Sequence, residues 1–477
     1  MSTIQATNRP YTFVSLIISM LLVFSLAPPQ WAHAATLTVD TLLDENDGSC
    51  SVGDCSLRDA IQVAAAGDAI TFSVTGTIIL TLGQLSINKT LTISGPGPGS
   101  LTVDGNHSSR VFYVSGFGLI NFSGLTIANG SADSGGGMEN KSYSNSTLTN
   151  MIFSGNSAIS SGGGMFNYNG NSALTDVTFS ANSAYDGGGM ENGSYGVTTL
   201  TNVTFSDNTA TNQGGGIFNY DGTCMLMNVT FGGNSAYAGG GMENGPRGHS
   251  TLTNVNFRDN SAEEGGGLYN MGVSSILMKV AFSGNSAIKG GGMYENPWGY
   301  STLTNVTYSD NSATFGGGLY FLYGSPYLMN VTISSNSASS VGGGLYVAGG
   351  SGAHILKNTL LAGNSAPAGP DCSGNLSSYG HNLIQNATNC IIWGDETDNI
   401  YGIDPLLGPL KDNGGDTLTH ALLPGSPAID AAAPTDPYHP VPEDQRGITR
   451  PVGPANDIGA FELVYQVHQV WLPAVLK

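Results

Sequence analysis

The chain has 477 residues, of which 10% are charged and 69 are glycine, with a net charge of −20 at pH 7. With 14 Lys and Arg against 34 Asp and Glu, it argues against nucleic acid or an anionic membrane as a partner. Its length exceeds what one compact core usually supports, a limit that a one-dimensional repeat architecture escapes.

Residues 1–34 read as a secretory signal peptide: Arg9, an apolar core from about Phe13 to Ala27, then Ala32 and Ala34 ahead of Ala35. The apolar core is short for a membrane span. The expected location is therefore secreted or extracellular, in association with the cell envelope, with no transmembrane segment in the mature chain. An oxidising location suits the five cysteines. Cys50 and Cys55 are close enough to staple one loop, and Cys372 with Cys390 another. Cys224 shares a strand face with Leu226 and is expected to be a buried free thiol. Nothing resembles paired C-x-x-C knuckles or a His pair on a helix, so no metal site and no cofactor are expected.

Residues 35–130 are expected to supply an N-terminal cap and the first rungs. Ser56 can cap a helix through Ala65, with Asp59 completing a capping box and Gly67 stopping it. Leu57, Ala60, Ile61 and Ala64 then share one face. Strands are expected at Ala69 to Phe72, Thr77 to Leu82, Leu91 to Ser94 and Val111 to Val114.

Residues 131–366 hold nine near-copies of one unit, roughly L-T-N-V-T-F-S-x-N-S-A-x-x-GGG-M-x-N. The first glycine of the triplet falls at Gly135, Gly162, Gly187, Gly214, Gly239, Gly265, Gly290, Gly316 and Gly342, a period of 25 to 27 residues. Apolar residues do not recur at helical spacing, and the triplets exclude a helix through each unit. The unit reads as short strands and tight turns, one turn of a right-handed parallel β-helix of the pectin-lyase-like kind, all-β apart from its capping helix. Stacked at ~4.8 Å, equivalent residues form ladders. One is aromatic, from Phe153 through Phe282 to Tyr308 and Ile333; one is aliphatic, from Met138 to Leu345. The third is an asparagine line from Asn156 to Asn364, placed at a turn where Asn tolerates a left-handed backbone. The N-x-S/T triplets at Asn202, Asn228, Asn305 and Asn330 are expected in strand positions, as by-products of the pattern.

Residues 367–477 are expected to add final rungs and a loop-rich module, too rich in Pro and Gly for a translocating β-barrel.

The stretch Cys55-Ser-Leu-Arg-Asp-Ala-Ile61 resembles the CSLREA module of secreted bacterial β-helix proteins. The run from Asp404 to Glu462, with DPLLGPLKDNGG, LPGSPAIDA, DQRG and DIGAFE, resembles the choice-of-anchor Q module. The repeats are similar to the FxxN and GGAI repeats of polymorphic outer-membrane proteins, which are surface adhesins. The resemblance implies a β-helix at or beyond the cell surface, such as the cell outer membrane.

Chemistry on such a rod needs convergent groups. A uronan lyase requires a cation and a basic group, and a hydrolase two or three converging carboxylates. The repeats carry only Lys141, Arg247, Arg258, Lys279, Lys289 and Lys357, without a shared register. No catalytic residue is assigned, and His381 is expected to be structural. Glu139, Glu191, Glu243 and Glu295 recur every 52 residues. Phe166, Phe218, Tyr269 and Tyr320 are expected between them, holding the carboxylates apart. A Ca²⁺ ladder would need more oxygens than this column supplies. The loops after the triplets place Tyr143, Tyr195 and Trp298 in one column with Arg247, and Tyr168 with Tyr220 in another. Such aromatics can stack on sugar rings or merely shield the edge. The expected function is non-catalytic adhesion, glycan binding or a structural role, with polysaccharide or a neighbouring cell surface as partner. The alternative is a polysaccharide lyase or glycoside hydrolase with a pocket near Trp298 to Pro326 or in the C-terminal module.

Overall fold

A computed structural model describes residues 34–141, 143–297, 299–349, 353–434 and 441–464. The signal-peptide expectation therefore falls outside the described residues, Ala34 excepted, and Trp298 lies outside them too.

Each turn of the solenoid starts on the apolar edge of a Gly triplet. The strand Met190–Asn192 is followed by a corner, the strand Val197–Thr201, a kink at Asn202, the strand Thr204–Ser206, a second kink, and the strand Thr209–Gln213 that leads into the next triplet. Every strand pairs in parallel with its counterpart one rung away. Leu200 stands over Leu174 and under Leu226, and Phe205 over Phe179 and under Phe231. The protein is thus a parallel β-helix, as the repeat predicts.

The triplet glycines have two separate causes. Gly214 takes φ 62, and a Cβ there would sit 2.3 Å from the Ile217 carbonyl oxygen, so the chain doubles back only without one. In the second and third positions the neighbouring rung is the obstacle. A Cβ on Gly216 would lie 2.5 Å from the Gly241 oxygen and 2.8 Å from the Phe231 ring.

The interior is built from ladders. Phe153, Phe179, Phe205, Phe231, Phe257, Phe282 and Tyr308 are fully buried, with successive ring centroids 4.5–5.1 Å apart. The stacked rings gain attraction beyond the area they bury. The aliphatic line from Met138 to Leu345 is equally buried. Along the asparagine line, Asn208 Nδ2 donates to Asn234 Oδ1 at 2.9 Å and to the Phe179 oxygen at 3.0 Å, and Asn208 N donates to the same Asn234 Oδ1. The left-handed residue is the one before it, Ala181, Asp207, Gly233 or Asp259, rather than the Asn itself. Turning the chain one residue early aims the amide inward.

Among the sequon asparagines, Asn305 and Asn330 lie within the strands Thr302–Ser309 and Tyr327–Ser334, as expected, whereas Asn202 and Asn228 sit at the kink between two strands. All four take φ 53–56. Their amides form an outer ladder, Asn228 to Asn202 and Asn202 to Asp176, each at 3.1 Å. A third amide line, missed in the sequence, runs inside from Asn140 through Asn167, Asn192, Asn219 and Asn244 to Asn270.

The N-terminal end is closed by the helix Leu57–Val63, whose Leu57, Ala60 and Ile61 are buried. Ser56 caps it by accepting from Asp59 N, and it ends at Val63, two residues short of the expected Ala65, with Ala64 as its C-cap. Disulfides join Cys50 to Cys55 and Cys372 to Cys390, and Cys224 is buried and free. The C-terminal module does not extend the rod. It folds back along one side, with Lys279 Nζ on Glu443 at 2.7 Å, Thr307 on Gln445 at 2.7 Å and Ala460 N on Thr332 at 3.0 Å. A second apolar cluster of Leu360, Leu383, Leu422, Ile458 and Phe461 seals that seam.

Candidate functional site

The corner that follows each inner Asn holds the candidate aromatics. Tyr143 and Tyr195 take φ 62 and φ 56 there and are 63% and 74% exposed. The left-handed turn throws these rings outward, and Phe117 lies parallel to Tyr143 at 6.1 Å. Tyr168 and Tyr220 lean back on Phe166 and Phe218, at 5.7 and 5.8 Å. Arg247 is exposed and 3.6 Å from Asp221. Two rings project, then, and two lie against the wall. Tyr300 and Tyr323 are exposed near the same corner in later rungs and escaped the sequence reading. Tyr323 shares the left-handed turn, φ 60, and this repeated conformation is not visible in a one-letter pattern.

The glutamate column requires two corrections. Glu139, Phe166, Glu191, Phe218, Glu243, Tyr269, Tyr294, Tyr320 and Tyr346 stand in register, so Tyr294 occupies the place expected for a fourth Glu. Glu295 instead continues the inner asparagine line, receiving Asn270 Nδ2 at 3.3 Å. One residue of slip moves a side chain to the other face. The column is also buried, in the crease where the triplet doubles the chain back, rather than solvated. Glu139 is answered by Arg110 at 2.7 Å and Lys141 at 3.4 Å. Among the described residues Glu191 and Glu243 meet no such cation, and each has a buried Oε2 without a hydrogen bond. Burial pushes the Glu191 carboxyl up to about 8, against a hydrogen bond from Ser161. It pushes Glu243 well above the ordinary range, against a bond from Gln213, with Asp186 and Glu264 adding to the rise. Groups this enclosed are out of reach of a polymer. Among the described residues no cluster of three or more His, Cys, Asp or Glu side chains is arranged to hold a metal.

The folded-back module creates two clefts. One, of 430 Å³, is lined by Asp310, Ser334, Gln385, Asp404 and His420. His420 lies between the Gly408 oxygen at 2.8 Å and Ser309 Oγ at 2.9 Å, and burial lowers its pKa, so it pins the module as a neutral ring. The other, of 290 Å³, brings Arg258 beside Asp412 and Asp416. His381 Nδ1 meets the Ala431 oxygen at 3.0 Å and its Nε2 is 3.8 Å from Asp398, a carboxylate not foreseen in the sequence. Both contacts anchor loops.

Residues 190–360 match a family model described as a right-handed β-helix region. Among solved structures, the chain is similar to pectate lyase Pel9A at a TM-score of 0.35 and 12% identity, over 90% of this chain and 97% of that one. It is also similar to a mannuronic acid specific polysaccharide family 6 lyase from human gut microbiota, at 0.34 and 10%, over 66% and 81%. No curated protein matches the chain. The fold is a right-handed parallel β-helix.

Proposed function

We propose that this protein is a secreted, cell-surface β-helix that holds carbohydrate at one corner of its solenoid without transforming it. The carrying observation is that Tyr143 and Tyr195 project from a backbone fixed by the stacked rungs, two rungs or ~9.6 Å apart. Rings carried on a fixed backbone lose little freedom when a sugar face stacks on them, while Arg247 supplies a polar edge. The resemblance of the two ends of the chain to CSLREA and choice-of-anchor Q modules supports the extracellular setting, and that of the repeats to polymorphic outer-membrane proteins supports an adhesin-like role.

Replacing Tyr143 and Tyr195 by Asn, which tolerates their left-handed backbone, together with Tyr220 by Ala, since that ring rests on Phe218 yet stays 40% exposed, tests the corner. Each ring is worth about 1 kcal/mol, so affinity for a glycan that binds the unaltered protein is expected to fall on the order of a hundredfold. The far-ultraviolet spectrum and unfolding midpoint should stay as they were. Undiminished binding by the folded triple variant would remove the corner from the account.

The second reading, a polysaccharide lyase or hydrolase, draws on the cleft that sets Arg258 beside Asp412 and Asp416. Elsewhere in the repeats Lys141, Lys279 and Lys289 are each tied to a glutamate, and Arg247 to Asp221. If any polymer is shortened by the protein and Arg258→Ala abolishes that activity, this reading replaces the first.

A further inference from the structure

The two ends of the solenoid are finished differently. At the N-terminal end the helix Leu57–Val63 covers the first rung. At the other end the last long strand is Cys390–Asp395, which pairs with Cys372–Tyr379 on one side, and among the described strands none pairs with its other edge. An unpaired edge presents a row of free backbone donors and acceptors and is ordinarily shielded.

The side chains of this rung show the same incompleteness. Ile392 stands over the fully buried Leu376, yet is only partly buried itself. Ile391 and Trp393 are 60% and 48% exposed. Tyr401 ends the inner ladder that runs through Leu361 and Ile384, and it too is exposed. An apolar end with a free strand edge has the form that accepts one more strand.

Charge selects what that strand carries. No Lys or Arg occurs between Lys357 and Lys411, whereas Asp395, Glu396 and Asp398 surround the open rung. Stacking a second copy end to end would bring acid against acid. Its own opposite end is no better matched: Asp40, Asp44, Glu45, Asp47 and Asp54 lie around the capping helix, and the cations there are already engaged, Arg58 by Asp44 and Lys89 by the Gln62 and Ala64 carbonyls. Like charges facing one another in a contact oppose it, and opposite charges favour it.

We propose that the open rung at Cys390–Asp395 accepts an extended, Lys- or Arg-bearing segment of a partner protein as the next strand of the solenoid. The backbone edge supplies hydrogen bonds, Ile391, Ile392 and Trp393 supply apolar contact, and the three carboxylates receive the cations.

The test uses the full chain and two synthetic strand peptides, one alternating Lys with Val and the other Glu with Val. The Lys peptide is expected to bind, to slow amide exchange within 391–395 and to shift the fluorescence of the tryptophans, a shift lost in Trp393→Phe. Glu396→Lys with Asp398→Lys, both exposed, should weaken it about tenfold or more and steepen no salt dependence. Four results would each overturn the proposal: binding of neither peptide, equal binding of both, protection of 391–395 by a self-association that Ile391→Lys abolishes, or protection already present in the full chain and lost on truncation after Val464.

Discussion

Replacing Glu243 by Gln is expected to raise the stability of the β-helix at pH 8 and to leave it almost unchanged near pH 4. The Glu243 side chain is fully buried, with Oε1 accepting from Gln213 at 2.7 Å and Oε2 accepting from none of the described residues. Burial holds its proton far above the ordinary carboxyl range of about 4.5, and Glu191 is held up to about 8 by the same cause. In the unfolded chain both ionise near their ordinary value. Between pH 4.5 and about 8 the folded state therefore keeps protons that the unfolded state has released, and stability falls as pH rises. Below that window the two states are equally protonated and the groups contribute no slope. Gln resembles the neutral acid in shape, so Glu191→Gln with Glu243→Gln should recover on the order of a few kcal/mol at pH 8 and flatten the profile. Thermal midpoints from pH 4 to 8 check this. A midpoint that rises with pH, together with variants less stable than the parent, would mean that the carboxyls are ionised and paired, as a bound Ca²⁺ would require.

Asn234→Ala is expected to cost roughly 3–5 kcal/mol, more than an average core substitution. Its Oδ1 accepts from both Asn208 N and Asn208 Nδ2, and its own Nδ2 donates to the Phe205 oxygen and to Asn260 Oδ1. Alanine strands the Asn208 backbone N–H and the Phe205 carbonyl in a dry interior, each costing about 1–3 kcal/mol. The damage should be local, because a solenoid is coupled mainly between nearest neighbours. Amide exchange should therefore accelerate first in the rungs of Asn208 and Asn260, with the end rungs little affected. A uniform acceleration along the rod, or a loss below about 1 kcal/mol, would show that water replaces the amide.

The repeat was legible because stacking demands identity at each position. The nine glycines, the phenylalanines and the buried asparagines all recur at one spacing, and each spacing corresponds to a ladder. What misled was spacing used without register. Glu243 and Glu295 are 52 residues apart, yet one faces the crease and the other the interior, because the intervening rungs differ in length by a residue. Turn conformation was hidden for a related reason. The left-handed position beside each buried Asn is filled by Ala181, Asp207, Gly233 or Ser335, residues with no common letter. The placement of the C-terminal module depends on pairs such as Lys279 with Glu443 and Thr307 with Gln445, more than a hundred residues apart and outside any period. For the candidate site, the column of aromatics was legible, but the division into projecting Tyr143 and Tyr195 and recumbent Tyr168 and Tyr220 was set by backbone φ and by Phe166 and Phe218 beneath.

Acidic and neutral polysaccharides incubated with the purified protein, then examined for chain length and for retention by it, test the functional claim most directly. The account predicts at least one polymer retained at its original length, with retention lost in the Tyr143, Tyr195 and Tyr220 variant. A polymer shortened by the protein, or retained equally by the variant, would contradict it.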